Sequence, residues 1–191
     1  YMTKDPSPLH LIPDYPLDTQ ARFTEPLAAA MEILTQIHIS PDKNAAVLGD
    51  GRLALLTAQV LALTGIDLTV IGRHPEKLEL FRPFAKTSTY GEKEGYEYVA
   101  ECTGSESGLP QAMELVRKKG TIILKSTYEG KVSLDMSMAA VNELTIVGSR
   151  CGPFEPALRL LKDKKIHLPA IELYDMTDFE KALASPAFKE G

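Results

Sequence analysis

The sequence predicts a parallel, doubly wound α/β sheet, and three observations carry that prediction. Short apolar runs alternate with helical periodicities from about residue 45 to about residue 163. The run Ala45-Ala-Val-Leu48 is apolar throughout, as a strand buried on both faces should be. That run leads straight into Gly49-Asp-Gly-Arg-Leu-Ala54, a Gly-x-Gly-x-x-Ala turn that opens a helix.

Each element has its own signal. Pro6, Pro8, Pro13 and Pro16 forbid a long element in residues 1–17, where Leu9–Ile12 could be an isolated strand. A helix is expected from Asp18, with Phe23, Leu27, Met31 and Leu34 on one face, and Pro41 closes that region. A strand over 45–49 precedes a helix over 52–64, where Leu53, Leu56, Val60 and Leu63 recur at helical spacing before Gly65. A strand over 67–71, a helix over 75–84 and a short Lys86–Thr89 segment follow. Next come a strand over 97–101, a helix over 108–118 and a strand over 120–125. Val132–Leu134 could add an edge strand. Leu144–Val147 reads as another strand and Phe154–Leu161 as another helix. The polar stretch between Tyr90 and Gly95 is too short for a crossover helix, so one helix is expected to be missing there. No internal repeat or low-complexity segment interrupts the pattern.

Length and composition narrow the function classes. A chain of 191 residues is one domain, or one domain plus a fragment, and 44% hydrophobic residues suffice for a core. The net charge of −5, with no basic run, argues against nucleic acid or an anionic membrane as partner. No apolar run approaches the length of a membrane span, and the polar, proline-rich start does not read as a signal peptide. Cytoplasmic residence is the expectation. Cys102 and Cys151 stand far apart and read as free thiols of a reducing compartment.

The glycine turn suggests a dinucleotide. Gly49 can make the tight turn, Gly51 lets a pyrophosphate approach the backbone, and Ala54 lets the helix lie close on the strand. An ordinary βαβ unit without a ligand remains the alternative. The second strand ends in Val70-Ile-Gly-Arg-His-Pro75. Gly72 stands where an NAD-preferring fold carries an acid for the ribose 2′-hydroxyl. A glycine makes room for a 2′-phosphate, Arg73 can pair with it, and His74 and Lys77 follow. NADP is therefore expected in preference to NAD; a solvated turn is the alternative. Thr103 and Gly104 follow the strand ending at Ala100, and Lys125-Ser-Thr127 follows the next strand, where such sheets place ligands. Small polar loops are the alternative for both. Cys102 has no His close in sequence to activate it and reads as a structural thiol.

Taken together, these pieces resemble the cofactor-binding part of the medium-chain dehydrogenase/reductase superfamily, the zinc-type alcohol, polyol and sugar dehydrogenases. The resemblance runs from about Leu9 to about Leu183. It is carried, in family order, by His10-Leu-Ile-Pro-Asp14, Phe23-Thr-Glu-Pro-Leu-Ala28, Val47–Ala54, Ala100-Glu-Cys-Thr-Gly104, Arg117-Lys-Lys-Gly-Thr121, Glu143-Leu-Thr-Ile-Val-Gly-Ser149 and Ala157-Leu-Arg-Leu-Leu161. Val141–Pro153 looks most like a branch near the glucose and threonine dehydrogenases. The resemblance implies a Rossmann-type domain over 18–183. Residues 1–17 would then be the remnant of a connection to an absent GroES-like catalytic domain, and 184–191 a truncated tail. It implies that Gly49, Asp50, Gly51, Arg52 and Leu53 hold the pyrophosphate, and Gly72, Arg73 and His74 the adenosine ribose and its phosphate. Thr103, Ser126 and Thr127 would line the nicotinamide half, and Ser149 and Arg150 could contact the carboxamide, or else merely cap a strand. Glu25 would reach a catalytic zinc in an intact enzyme; a helix-start charge before Pro26 is the alternative. One carboxylate cannot hold zinc, so none is expected in this chain alone, which should be inactive by itself. Hydride would pass between nicotinamide and a small alcohol or carbonyl substrate, zinc polarising its oxygen. The last strand would pair across a two-fold axis into a homodimer.

Three rivals stand beside this reading. One is a zinc-free NADPH-dependent quinone or enone reductase of the same superfamily; Glu25-Pro26 favours the zinc type. Another is a non-catalytic dinucleotide-sensing module. The third, a methyltransferase, usually needs an acid after the second strand, and Gly72 speaks against it.

Overall fold

A computed structural model describes residues 20–168 and 174–184. The apolar run after Lys43 forms the central strand β1 (Asn44–Leu48), with Ala45, Ala46 and Val47 wholly buried. Alternate side chains serve opposite faces of the sheet. Ala45 and Val47 join one core cluster, Ala46 and Leu48 the other.

Five further strands complete the sheet: β2 (Asp67–Ile71), β3 (Lys86–Ser88), β4 (Tyr96–Glu101), β5 (Val116–Leu124) and β6 (Thr145–Gly148). Their order is β3-β2-β1-β4-β5-β6, and every pairing is parallel. Val47 stands opposite Val70 on one side and Ala100 on the other. Strand order reverses between β1 and β4, the place where such sheets open a crevice at their carboxyl ends.

Helices cover both faces. On one, α2 (Arg52–Ala62) packs against β1, α1 (Thr24–Gln36) packs on α2, and α6 (Phe154–Lys162) packs on α1. Ala54 is wholly buried, which brings α2 close to the sheet. On the other lie α4 (Gly108–Leu115) and α5 (Met136–Val141). Two short helices, α3 (Pro75–Leu78) and α7 (Phe179–Ala184), and two 3-10 turns, Ala21–Phe23 and Met176–Asp178, complete the described elements. No helix among the described residues is long and apolar enough to cross a membrane.

Several expectations shift. Asp18, the expected start of the first helix, lies outside the described residues; a 3-10 turn at Ala21–Phe23 leads into α1 at Thr24, whose buried face is Leu27, Ala28, Ala30 and Ile33, while Leu34 is exposed. Small alanines win that face because α1 must approach two helices at once. The helix expected over 75–84 stops at Leu78, and the chain turns on to place Phe81 in the core ahead of Pro83. The helix expected over 108–118 ends at Leu115 because Val116 already pairs with Tyr96. Val132–Leu134 forms no strand; Val132 and Leu134 pack their side chains on the α4 face instead. Residues 89–95 carry no helix, as expected. The possible strand at Leu9–Ile12 and the segments 1–17 and 185–191 lie outside the described residues.

Candidate functional site

The glycine turn sits at the carboxyl end of β1. Gly49 has φ +124°, and a Cβ there would lie 2.9 Å from the Cys102 carbonyl oxygen. Its N–H donates to Ile71 O at 2.8 Å, joining the ends of β1 and β2. Gly51 is the N-cap of α2 and offers no side-chain cap, so the first-turn N–H groups of this 11-residue helix lack an intrahelical partner. A Cβ at Gly51 would meet nothing within 4 Å. Packing does not require this glycine; the space it leaves belongs to a cleft of about 1050 Å³ along the strand ends.

At the end of β2, Asp50 does what the sequence did not announce. Its Oδ2 accepts from the N–H groups of Arg73 (2.7 Å) and His74 (2.9 Å) and lies 3.0 Å from His74 Nδ1. Burial works against the charge, but the His74 and Arg73 donors outweigh it and hold the Asp50 carboxyl below the ordinary carboxylate range. The room beside Gly72 is taken by this carboxylate: a Cβ on Gly72 would stand 2.6 Å from Asp50 Oδ2. Arg73 is exposed and lines the cleft beside His74 and Lys77.

The ends of β4, β5 and β6 form the other half. Glu101 is wholly buried, and its Oε1 accepts from Thr103 N (2.7 Å) and Thr103 Oγ1 (2.5 Å). Tyr128 OH donates to Glu101 Oε2 at 2.6 Å; burial and then this carboxylate raise the phenol's pKa. Gly104 N–H donates to Ser126 Oγ at 2.8 Å, tying the β4 and β5 loops together. Lys125 is buried and donates from Nζ to Ala29 O of α1 and to Ser149 Oγ. Burial pushes the Cys102 thiol up to about 12, which suits a structural thiol rather than a nucleophile.

The cleft therefore gathers nearly all the sequence-predicted residues. Gly49, Asp50, Gly51, Arg52 and Leu53 line its floor; Gly72, Arg73, His74 and Lys77 line one end; Thr103, Thr127, Ser149 and Arg150 line the other, with Glu25 on α1 above. Gly104, which is exposed, and Ser126 do not line the cleft and are bonded to each other. Sequence reasoning missed the roles of Glu101 and Lys125, and Arg22, which lines the cleft before α1. A charge at the end of each of two apolar strands was the available signal. Among the described residues six Lys or Arg and three carboxylates line the cleft, an excess of positive charge on a chain of net charge −5. Among the described residues no group of three His, Cys, Asp or Glu is placed to hold a metal ion, so these residues do not form a zinc site by themselves.

A family model described as zinc-binding dehydrogenase matches residues 53–163. The ribulose-5-phosphate reductase of Streptococcus pneumoniae is 37% identical over 164 residues, which are 78% of this chain and 47% of that protein. A zinc-binding dehydrogenase from Sinorhizobium meliloti, solved with NADP, superposes with a TM-score of 0.70 at 23% identity, covering 76% of this chain and 49% of that one. An acetophenone reductase from Geotrichum candidum, solved with NAD, does so with a TM-score of 0.77 at 19% identity, covering 92% and 54%. The two structures share the fold. The chain spans about half the length of the curated relatives it matches.

Proposed function

Because the chain belongs to the zinc-binding dehydrogenase family, we propose that it holds the dinucleotide of an oxidoreductase acting on small alcohols or carbonyls of the polyol and sugar class, with NADP preferred over NAD. The observation that carries this reading is the uncapped α2 N-terminus behind Gly51, open to a cleft with an excess of cations. Such a start presents N–H groups and a positive helix end to a pyrophosphate. The NADP-bound and NAD-bound neighbours and the pentulose-phosphate relative support the cofactor and substrate classes.

On this reading Gly49 and Gly51 admit the pyrophosphate against the backbone. Arg73 forks onto the 2′-phosphate, with His74 and Lys77 beside it. Thr103, Thr127, Ser149 and Arg150 orient the nicotinamide end, where bound nicotinamide supplies the carbon that gives or takes a hydride. Ser126 acts through Gly104, from whose N–H it accepts a hydrogen bond. Glu25 would face any metal supplied with ligands from beyond the described residues. The exposed edge β6 pairs two chains into a homodimer.

A second reading rests on Asp50. Its carboxylate stands beside Gly72, where an acid that accepts the ribose 2′-hydroxyl would favour NAD. Calorimetric titration with NADPH and NADH decides between them. Tighter NADPH binding, with the preference lost in Arg73→Ala, supports the first reading. Tighter NADH binding, relaxed in Asp50→Asn, supports the second. Binding of neither overturns both.

A further inference from the structure

Lys125 is the only buried cation among the described residues, at 6% exposure. A lysine buried this deeply normally has a carboxylate partner. Among the described residues Lys125 has none within ion-pair distance: Nζ donates to the Ala29 carbonyl oxygen and, at 3.2 Å, to Ser149 Oγ. Both acceptors are neutral. An ammonium has three donors, so one N–H and an uncompensated charge remain.

The surroundings do not supply the missing partner. Glu25 and Glu32 on α1 act on the ammonium only at a distance, as do Cys102 and Cys151. Burial draws its pKa below the ordinary lysine value, and those groups only partly offset the loss of solvation. The position is fixed, because Lys125 N donates to Glu101 O at 3.0 Å as the next rung beyond β5. The head group thus sits between the ends of β5 and β6 with α1 behind it, and it lines the cleft. This is the side of the switch point away from Arg73 and the β2 end.

We propose that Lys125 is a ligand-binding residue, its third N–H donating to an oxygen of the nicotinamide riboside half of the bound dinucleotide. The inference rests on the dinucleotide reading given above. Ser149 and the α1 carbonyl aim the ammonium, and the bound oxygen completes its hydrogen bonds where water is largely excluded.

The test compares two ligands on the 191-residue chain and its Lys125→Met variant. NADPH carries both halves of the dinucleotide; adenosine 2′,5′-bisphosphate carries only the adenosine half with its 2′-phosphate. Lys125→Met should weaken NADPH binding by roughly ten- to a hundredfold, the worth of one charge-assisted hydrogen bond. It should leave the bisphosphate within about twofold, and the Tm should not fall, since an unpaired buried charge is replaced by an apolar chain of similar length. Equal NADPH affinity in both proteins overturns the proposal, as does equal weakening of both ligands. If the wild-type chain binds neither ligand, the dinucleotide reading itself fails. Lys125→Gln keeps a donor without the charge and supplies the same comparison, by the same criteria, should the methionine variant not fold.

Discussion

One oxygen of Asp50 gathers three donors from the 73–74 turn, so a single carboxylate sets the shape of that end of the cleft. Folding lowers its pKa. Its stabilising effect is therefore complete above the unfolded carboxylate value of about 3.9 and is lost as pH falls through the folded value. Asp50→Asn should lower stability near neutral pH by on the order of 1–2 kcal/mol, since hydrogen bonds to a charged acceptor are lost. The gap between variant and wild type should close below about pH 4. Thermal unfolding against pH checks this, and parallel curves would refute it. The two thiols differ just as clearly. Cys102 is held up to about 12 by burial, whereas Cys151 is exposed. A maleimide at pH 7.5 should label one thiol per folded chain rapidly and none in Cys151→Ser. Rapid labelling of that variant would show that the half-buried Cys102 thiol is reached from the cleft it lines.

At the scale of elements, the sequence is most legible where burial on both faces imposes its own pattern. The strand over 67–71 is found at those positions, and β1 and α2 lie within a residue or two of theirs, because apolar runs and periodic leucines left little choice. Boundaries decided by tertiary contact were hidden. Pairing of Val116 with Tyr96 ends α4 early, and nothing in residues 108–118 announces that partner. The face of α1 was misread for a similar reason: its alanines become buried only once α2 and α6 are both present. Glycines separate the two kinds of constraint. A Cβ on Gly152 would sit 1.9 Å from the Ala28 carbonyl oxygen, so the loop after β6 and α1 touch backbone to backbone. Gly152→Ala should cost about 1–3 kcal/mol, as overpacking typically does, and depress the Tm. Gly51, with extended φ of −84° and open space around its Cβ position, carries no such constraint. Gly51→Ala should unfold at nearly the wild-type temperature yet lose most of its affinity for NADPH. If it destabilises the fold instead, the glycine is structural and the pyrophosphate contact loses its support.

For the whole molecule, what the sequence concealed is what long-range closure creates. Lys125 meets a carbonyl 96 residues away, and Asp50 reaches a turn 23 residues on; neither pairing has a local signature. The glycine turn was legible because one continuous segment makes it. The dimer proposed for β6 depends on the same global order. With β3-β2-β1-β4-β5-β6 fixed, β6 is an edge beside which no strand lies among the described residues, and Thr145, Ile146 and Gly148 are exposed. Isolated globular proteins blunt such edges with lysine, proline or a covering segment. Here the four residues Thr145–Gly148 carry no charge, which fits an edge that another copy covers. Ile146→Lys places a charge on that edge at a position already 36% exposed. Its Tm should therefore stay close to wild type while two-chain association is lost. Sedimentation velocity at micromolar concentration distinguishes one 20.9 kDa chain from two. A dimeric wild type with a monomeric variant supports pairing through β6. A wild type that sediments as one chain overturns the proposal, and a variant that stays dimeric moves the interface elsewhere on the surface.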